Sequence, residues 1–406
     1  MGILFTLLFL IPFSTLATMI AWAGFYREPK KIGKYALFYI YGVFILSYSL
    51  IPDHELDLNR YWYQIEAIKS MTLQGAMEYF NDGLYVENFT FWIISKLQAP
   101  HLLPAISTSI VYGVSTYIII DANKRLGIRD ALIYAILFQS LVFPYLSIVS
   151  NVRNICAFSI GIAAVYRELV KKKRDIITIV AYISPVFMHK TGLLILLVRL
   201  MMVLFQKAPL LSVSIVALLP SIISFFYNNI SLIKLPGMLG IVMRRLIISS
   251  QNYLVGGSDY AERLSKNLAA SLAKYAAIVC ILVQAYLLYK FYKDHKENIL
   301  SKFAIFSFLM SMIAIATTVF DTPAYWRFGM AVNMSFSPVL LYYLSVGKHE
   351  LRLNPAAFKI LMFLLAGIRF AIEALRSIPR INLGESLNLL MYSNLYTIIF
   401  DVLRNI

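Results

Sequence analysis

The feature that most constrains this chain is a succession of long, uninterrupted apolar blocks. Many are about 17–23 residues long, which suits an α-helix that crosses the hydrocarbon core of a bilayer. Their apolar residues are continuous rather than alternating, which favours helices over the strands of a barrel. The 406 residues are 60% hydrophobic and 14% charged, a lower charge than soluble domains carry. The sequence therefore predicts an all-α fold: a polytopic transmembrane helical bundle forming one integral membrane domain over residues 1–406.

The blocks predict about 12 membrane-spanning helices. Their expected bounds are 3–23, 35–51, 102–120, 131–149, 153–167, 176–188, 191–206, 209–226, 268–290, 303–320, 327–346 and 356–373. The first block ends in the signal-like Ala21-Trp22-Ala23 but lacks a basic segment before it, so we interpret it as a retained span. Segment 84–98 is apolar but short, and we expect an interfacial or re-entrant helix there.

The net charge of +16 follows from the positions of Lys and Arg in short loops. Alternate connections are basic, and the positive-inside rule places them in the cytoplasm: 27–34, 122–129, 167–175, 290–302 and 347–352. The others are mixed or acidic, and we expect them outside: 51–62, 150–154, 189–190, 227–267 and 321–326. The basic charge thus reflects orientation in a membrane, and we expect no nucleic-acid partner.

Two segments are predicted to lie on the membrane surface. Within the outer loop 227–267, residues 235–250 have the pattern of a short amphipathic helix. The C-terminal segment 381–406 carries apolar residues at roughly helical spacing, but polar residues interrupt it. It therefore suits an amphipathic surface helix better than a span.

Ionisable residues interrupt the apolar pattern at three junctions on the expected outer face. They are Arg153 in SNVRNICAFS, His189 with Lys190 in VFMHKTGLL, and Asp321 with Arg327 in DTPAYWRFGM. Charges near hydrocarbon are costly and are functional candidates by default. Arginine offers a planar fork of donors that matches phosphate oxygens, and Arg153 is expected to begin a helix, where anions are favoured. This face therefore suits an anion held at the membrane surface.

Each candidate also has a plainer interpretation. Arg153 would pair with a carboxylate or a carbonyl at a helix end, His189 would be an ordinary interfacial histidine, and Asp321 and Arg327 would form a structural ion pair. Arg244 and Arg245 would anchor an amphipathic helix to lipid headgroups. The run DHELD at 53–57 has carboxylates spaced for a divalent ion but is more often a solvated loop, and Arg199 and Arg369 lie deeper in expected spans.

The sequence gives no support for the other common kinds of catalytic or nucleotide-binding site. The chain has no phosphate-binding GxxxxGK[ST], no CxxC pair, no GxSxG and no HExxH. Cys156 and Cys280 lie inside apolar segments and cannot form a disulfide framework.

The order and spacing of these motifs resemble the EpsG branch of the Wzy-type polysaccharide polymerases. The resemblance rests on Asp57-Leu58-Asn59-Arg60-Tyr61, Val152-Arg153-Asn154-Ile155-Cys156-Ala157, His189-Lys190-Thr191-Gly192-Leu193-Leu194 and Tyr325-Trp326-Arg327. Asn154 stands where we would expect Gln, and Lys190 replaces a small or polar residue. The motifs are short, and the run from Arg153 to His189 carries most of the resemblance.

The resemblance implies a metal-independent, GT-C-like glycosyltransferase in the bacterial inner membrane, with its active site facing the periplasm and no cofactor. Its partners would be lipid-linked oligosaccharides on undecaprenyl diphosphate, as donor and acceptor, the membrane lipid, and a chain-length regulator protein. Arg153 and Arg327 would bind the diphosphate, His189 would act as base or acceptor clamp, and Asp57 would bind and orient the sugar, with the role of base as its alternative. The remaining expected substrate-binding residues are Arg60, Tyr61, Lys190, Arg244, Arg245, Asp321 and Tyr325.

Two alternatives stay open. One is a different glycosyltransferase that uses a polyprenyl-linked sugar, or an O-antigen ligase, and a metal-dependent version would use the acidic run 53–57. The other is a flippase for the same lipid-linked units, which predicts paired repeats and charges near the membrane midplane.

Overall fold

The structure is a computed structural model that describes residues 24, 32–53, 56–128, 131–143, 145–229, 247–248, 268–318, 324–345, 350, 354–377 and 381–405. The expected first span 3–23 lies outside the described residues. So does nearly all of the amphipathic helix expected over 235–250, together with Arg244, Arg245 and Asp321.

The described part of the chain is all-helical. Its helices are α1 (Ile32–Tyr48), α2 (Asp57–Ala67), α3 (Leu73–Phe80), α4 (Tyr85–Lys96), α5 (Leu102–Leu126), α6 (Leu132–Val142), α7 (Tyr145–Ser150), α8 (Val152–Leu169), α9 (Ile176–Met188), α10 (Gly192–Lys207), α11 (Pro209–Asn228), α12 (Leu268–Asp294), α13 (Ser301–Thr318), α14 (Ala324–Ser345), α15 (Pro355–Ser377), α16 (Leu383–Tyr392) and α17 (Leu395–Asn405). The all-α prediction is confirmed over these residues.

Four of the described helices are long and apolar enough to cross a membrane. They are Leu102–Leu126, Pro209–Asn228, Ala270–Asp294 and Ser301–Thr318. Shorter apolar helices occupy Tyr35–Tyr48, Leu132–Val142 and Ile176–Met188. The membrane character is therefore supported, whereas the number of about 12 spans and the GT-C-like arrangement remain predictions.

The expected span 131–149 is wrong as a single helix. Helix α6 ends at Val142, Phe143 is extended (φ −81°, ψ 110°), and α7 begins at Tyr145. Pro144 is the physical reason, because a proline disfavours helical backbone in the residue before it.

Helix α14 forms the centre of the bundle. It packs against α5, α6, α8, α12 and α13, and nearly every side chain from Phe328 to Leu344 is buried. A helix that is apolar on all sides can be stable only when neighbours enclose it. Its N-terminal turn therefore emerges from the middle of the bundle.

The outer helices expose apolar side chains instead. On α11, Leu210 is 85% exposed and Phe225 is 63% exposed, and on α9 Ile176 is 69% exposed. Contiguous exposed apolar surface of this kind is typical of contact with lipid.

Helices α8, α9 and α10 run back and forth between two ends of the bundle. They pack against one another, and the 18 residues of α8 span about 27 Å. The start of α8, the end of α9 and the start of α10 therefore lie together, at what we call the Arg153 end. The opposite junctions, at 167–175 and 206–207, form the Glu168 end.

The C-terminal segment forms two helices, α16 and α17, rather than one. It is attached to residues 51–52 by a bridge between Pro52 and Ile381 and by a 2.9 Å hydrogen bond from Ile51 N to Ser386 Oγ. Both helices expose apolar side chains, among them Leu387 at 50% and Leu403 at 68%.

Candidate functional site

Arg153 lies in the first turn of α8 and is held from two sides. Its guanidinium forms an ion pair with Glu87 of α4 and lies over the ring of Tyr61 of α2, 4.6 Å from the ring centroid. The Arg153 side chain is 22% exposed and that of Glu87 is 4% exposed. A charged group held in this way is fixed in position before any ligand arrives.

The arrangement leaves buried polar atoms unsatisfied. Within the described part of the chain, Arg153 Nε and Glu87 Oε2 are buried and have no hydrogen-bond partner. Buried donors and acceptors in proteins are nearly always paired, so each exception needs an explanation, such as a ligand or ordered water.

His189 lies in the tight turn that joins α9 to α10. Its N–H donates to Pro185 O at 2.9 Å, and its own carbonyl accepts from Gly192 N at 2.8 Å. The turn requires glycine at 192, because a Cβ there would lie 2.3 Å from the carbonyl oxygen of Pro185. The α9–α10 turn is thus closed by its own backbone.

The imidazole of His189 is connected to the start of α8. Nδ1 lies 2.7 Å from Thr191 Oγ1, and that hydroxyl lies 2.9 Å from Asn154 Oδ1. Thr191 and Asn154 are both 3% exposed. This buried connection fixes the ring relative to Arg153, the neighbour of Asn154 in the same helical turn.

Three cations share the electrostatic environment of His189. Burial lowers the pKa of the imidazole well below its ordinary value, and the charges of Arg153, Arg327 and Lys190 lower it further. The ring is therefore neutral at pH 7. Arg153 and Arg327, which are 174 positions apart in sequence, thus both act electrostatically on this one imidazole.

Helix termini add to the positive field. Helices α8, α10 and α14 begin at Val152, Gly192 and Ala324, all at the Arg153 end. The N-terminus of a helix carries a partial positive charge. An anion at the membrane surface would meet both the formal charges of the cationic side chains and the partial charges of the helix N-termini at this end.

The other predicted residues around the site differ in how far they are exposed. Asp57 and Arg60 form an exposed pair at 3.3 Å, and the guanidinium of Arg60 lies 5.3 Å from the centroid of the Tyr61 ring. Tyr61 is 4% exposed and supports both arginines. Lys190 is exposed and Arg327 is partly exposed.

The predicted substrate-binding residue Tyr325 is buried in the structure. Its side chain is 1% exposed and belongs to the hydrophobic core. Tyr325 thus packs in the core, and its role in substrate binding stays a prediction. Arg244, Arg245 and Asp321 lie outside the described residues.

Sequence reasoning missed Glu87, Asn154 and Thr191. Glu87 had a usable signal, since it is a carboxylate inside the apolar segment 84–98. Burial raises the pKa of Glu87 above its usual range, and Arg153 opposes the shift. Among the described residues, no group of three or more His, Cys, Asp or Glu is arranged to hold a metal ion.

The two deeper arginines have separate environments. Arg199 makes two hydrogen bonds to Glu168, at 2.8 and 2.7 Å, at the opposite end of the bundle. Arg369 is 4% exposed inside the bundle, where Nη1 lies 3.5 Å from Asn333 Oδ1. Neither belongs to the group formed by Arg153, His189, Lys190 and Arg327 at the Arg153 end. We call this group the cationic cluster.

Comparison of this chain with family models, with curated proteins and with solved structures finds no match.

Proposed function

We propose that this protein is a polysaccharide polymerase that joins lipid-linked repeat units of O-antigen, capsule or exopolysaccharide at the outer face of the bacterial inner membrane. The observation that carries the proposal is the convergence of Arg153, Lys190 and Arg327 on His189. The motif resemblance to the EpsG branch of the Wzy-type polymerases names the reaction.

The cationic cluster suits a lipid diphosphate as leaving group. Negative charge develops on the diphosphate as its bond to the sugar breaks, and fixed cations lower the free energy of that transition state. Arg153 is held by Glu87 and Tyr61, so little reorganisation is needed when charge develops. Its buried, unbonded Nε supplies a donor that the described protein does not use.

His189 suits activation of the acceptor. In the proposed step, a hydroxyl oxygen of the acceptor sugar attacks the anomeric carbon of the donor glycan. The carbon–oxygen bond to undecaprenyl diphosphate breaks, the diphosphate departs with the bonding electrons, and the hydroxyl proton passes to the neutral imidazole. A bound diphosphate would offset the charges of Arg153 and Arg327 and raise the pKa of His189, so the ring becomes a stronger base when substrate is present.

The proposal is tested by complementing a polymerase-null strain with variants of confirmed expression. Arg153→Ala, His189→Ala and Arg327→Ala should each abolish the ladder of long polysaccharide chains, since one lost donor at a developing anion costs about 100-fold or more in rate. Arg125→Gln is the matched control, because Arg125 forms a partly exposed pair with Asp121 at the end of α5. Full-length ladders from the three cluster variants would reject the assignments.

A flippase for the same lipid-linked units is the second candidate, and one observation favours it. Arg369 lies in the bundle interior with Asn333 and Gln284, and its Nη2 has no hydrogen-bond partner within the described residues. A transporter would move a labelled lipid-linked unit across a bilayer without lengthening its glycan. Of the acidic run 53–57 that a metal-dependent transferase would use, the structure describes Asp53, Leu56 and Asp57.

A further inference from the structure

A cavity of about 410 Å³ lies at the Glu168 end of the bundle, where α8, α10 and α13 meet the loop that follows α8. Four cationic side chains line it: Lys172, Arg174, Arg199 and Lys302. Helices α8, α10 and α13 run from this cavity to the Arg153 end. The cavity and the cationic cluster therefore lie at opposite ends of the same helices.

The charge of the cavity is only partly compensated. Glu168 is the one carboxylate in the lining, and it is occupied by Arg199 at 2.7 Å, by Arg174 at 3.6 Å and by the hydroxyl of Tyr182 at 2.7 Å. Lys172 and Lys302 form no ion pair with the described residues. The lining therefore holds four positive charges against one negative charge.

Apolar surface continues from the cavity onto the outside of the bundle. Met202 and Val203 of α10 line the cavity, and Val203 is 48% exposed. Leu200, one turn earlier on α10, is 62% exposed. A ligand with an anionic head and an apolar tail would satisfy both parts of this surface.

The backbone of the loop turns Lys172 in an unusual way. Lys172 adopts a left-handed conformation with φ of +57°, which is uncommon for a residue other than glycine. Its neighbour Lys173 is also exposed but does not line the cavity. The loop thus offers two adjacent lysines, of which only one contributes to the cavity.

We propose that this cavity binds the phosphate of an anionic membrane lipid, with its acyl chain against α10. Basic pockets between transmembrane helices bind such headgroups. The apolar lining favours a lipid phosphate over free phosphate ion. The inference does not depend on the polymerase proposal, because it uses none of the residues of the cationic cluster.

The test measures lipid binding to the full-length protein in neutral detergent, by native mass spectrometry and by the shift in melting temperature. Phosphatidylglycerol should bind tightly and raise the melting temperature, whereas phosphatidylcholine and inorganic phosphate at matched concentration should do so weakly. Lys172→Gln and Lys302→Gln should each lower the affinity for phosphatidylglycerol about five-fold, as expected for loss of one charge near an anionic lipid.

Lys173→Gln is the matched control and should leave the affinity unchanged. Glutamine is unbranched like lysine, so Lys172→Gln adds no new backbone cost. Equal binding of phosphatidylcholine, an equal effect of inorganic phosphate, or an equal loss with Lys173→Gln would each overturn the proposal.

Discussion

At the scale of single residues, Arg153 has both a structural role and a proposed functional role. From the sequence alone, these two roles could be stated only as alternatives. Arg153 pairs with a carboxylate, one of the two kinds of partner that the plainer interpretation allowed, and it also lies with Arg327 and Lys190 around His189. The carboxylate of Glu87 offsets part of the positive charge of Arg153 and also holds the Arg153 guanidinium in position. The two interpretations are therefore compatible, and they are separable by experiment.

A double substitution separates them. Glu87→Ala leaves the guanidinium of Arg153 without its partner and should lower stability by about 3 kcal/mol, because breaking a buried pair leaves an uncompensated charge. Glu87→Leu combined with Arg153→Met removes both charges and should recover much of that stability, measured as melting temperature in detergent. If Arg153 acts on substrate, polymer formation stays absent in the stable double variant. Recovery of both properties would assign Arg153 a structural role alone.

The pKa of His189 gives a second test at this scale. The positive charge of Lys190 disfavours the protonated imidazole, so Lys190→Gln should raise the pKa of His189. The acidic limb of the kcat/KM profile, which reports the free enzyme, should then move to higher pH. For the unaltered protein, the acidic limb of kcat should lie at higher pH than that of kcat/KM, because the bound diphosphate offsets the arginines. Lys173→Gln should move neither limb, and a profile unaffected by Lys190→Gln would contradict this role for His189.

The sequence was informative about this cluster because the relevant residues sit at ends of consecutive helices. When each helix reverses the direction of the chain, alternate junctions share a face, which brings Arg153, His189 and Arg327 together without knowledge of packing. The pairing of Arg153 with Glu87 and Tyr61 could not be predicted in the same way. It depends on how α2 and α4 pack against the start of α8, and the amphipathic pattern of α2 does not predict which helix it contacts. The burial of Tyr325 could not be predicted either, because its position beside Trp326 and Arg327 in the sequence suggests a solvent-exposed site, whereas α14 buries it.

At the scale of elements, the α9–α10 turn determines where His189 lies. The helix α9 was predicted at 176–188 and is observed at Ile176–Met188, because the apolar block is bounded by Asp175 and by the polar pair at 189–190. Asp175 accepts a hydrogen bond from Thr178 N at 3.0 Å and caps the helix. The close approach of Gly192 to Pro185 was invisible in the sequence, since it arises only once the two helices pack.

Gly192→Ala should displace this turn. The added Cβ would meet the backbone of Pro185, which cannot rotate away, so the α9–α10 turn has to open and carry His189 with it. We expect loss of most polymer formation with a smaller fall in melting temperature. Gly113→Ala is the matched control, because its Cβ would meet only the side chain of Ile40, with Cδ1 at 3.5 Å and Cγ1 at 4.0 Å, which are ordinary contacts. Since alanine is preferred to glycine in a helix by about 1 kcal/mol, that control should retain activity and stability. Full activity of Gly192→Ala would show that the turn does not determine the position of His189.

At the scale of the whole molecule, the account requires the Arg153 end and the Glu168 end to lie on opposite sides of a membrane. Length and apolar composition support a membrane protein, and helices α8 to α10 establish two ends. The apolar pattern of the sequence predicts that helices lie in lipid, but it says little about how many of them cross the membrane. Short or charged helices such as α8 owe their position to packing against neighbouring helices rather than to their own hydropathy. Broken segments such as 131–149 depend on a single proline.

Cysteine labelling tests this arrangement. Cys156 and Cys280 are buried and would be replaced by alanine. Lys190→Cys, at the exposed α9–α10 turn, should react with an impermeant thiol reagent added to intact cells. Lys173→Cys should react only after the membrane is permeabilised. Labelling of both residues from the same side would contradict the topology.

The central claim is that the cationic cluster holds the diphosphate of a lipid-linked glycan while that glycan is transferred. Its most direct test uses purified protein in liposomes with undecaprenyl-diphosphate-linked repeat units, with glycan length read by gel electrophoresis. We predict elongation by the unaltered protein and by Arg125→Gln, and a rate lower by about 100-fold for Arg327→Ala. Liposomes in which the unaltered protein leaves the glycan at its original length, or in which Arg327→Ala elongates it at the normal rate, would contradict the account.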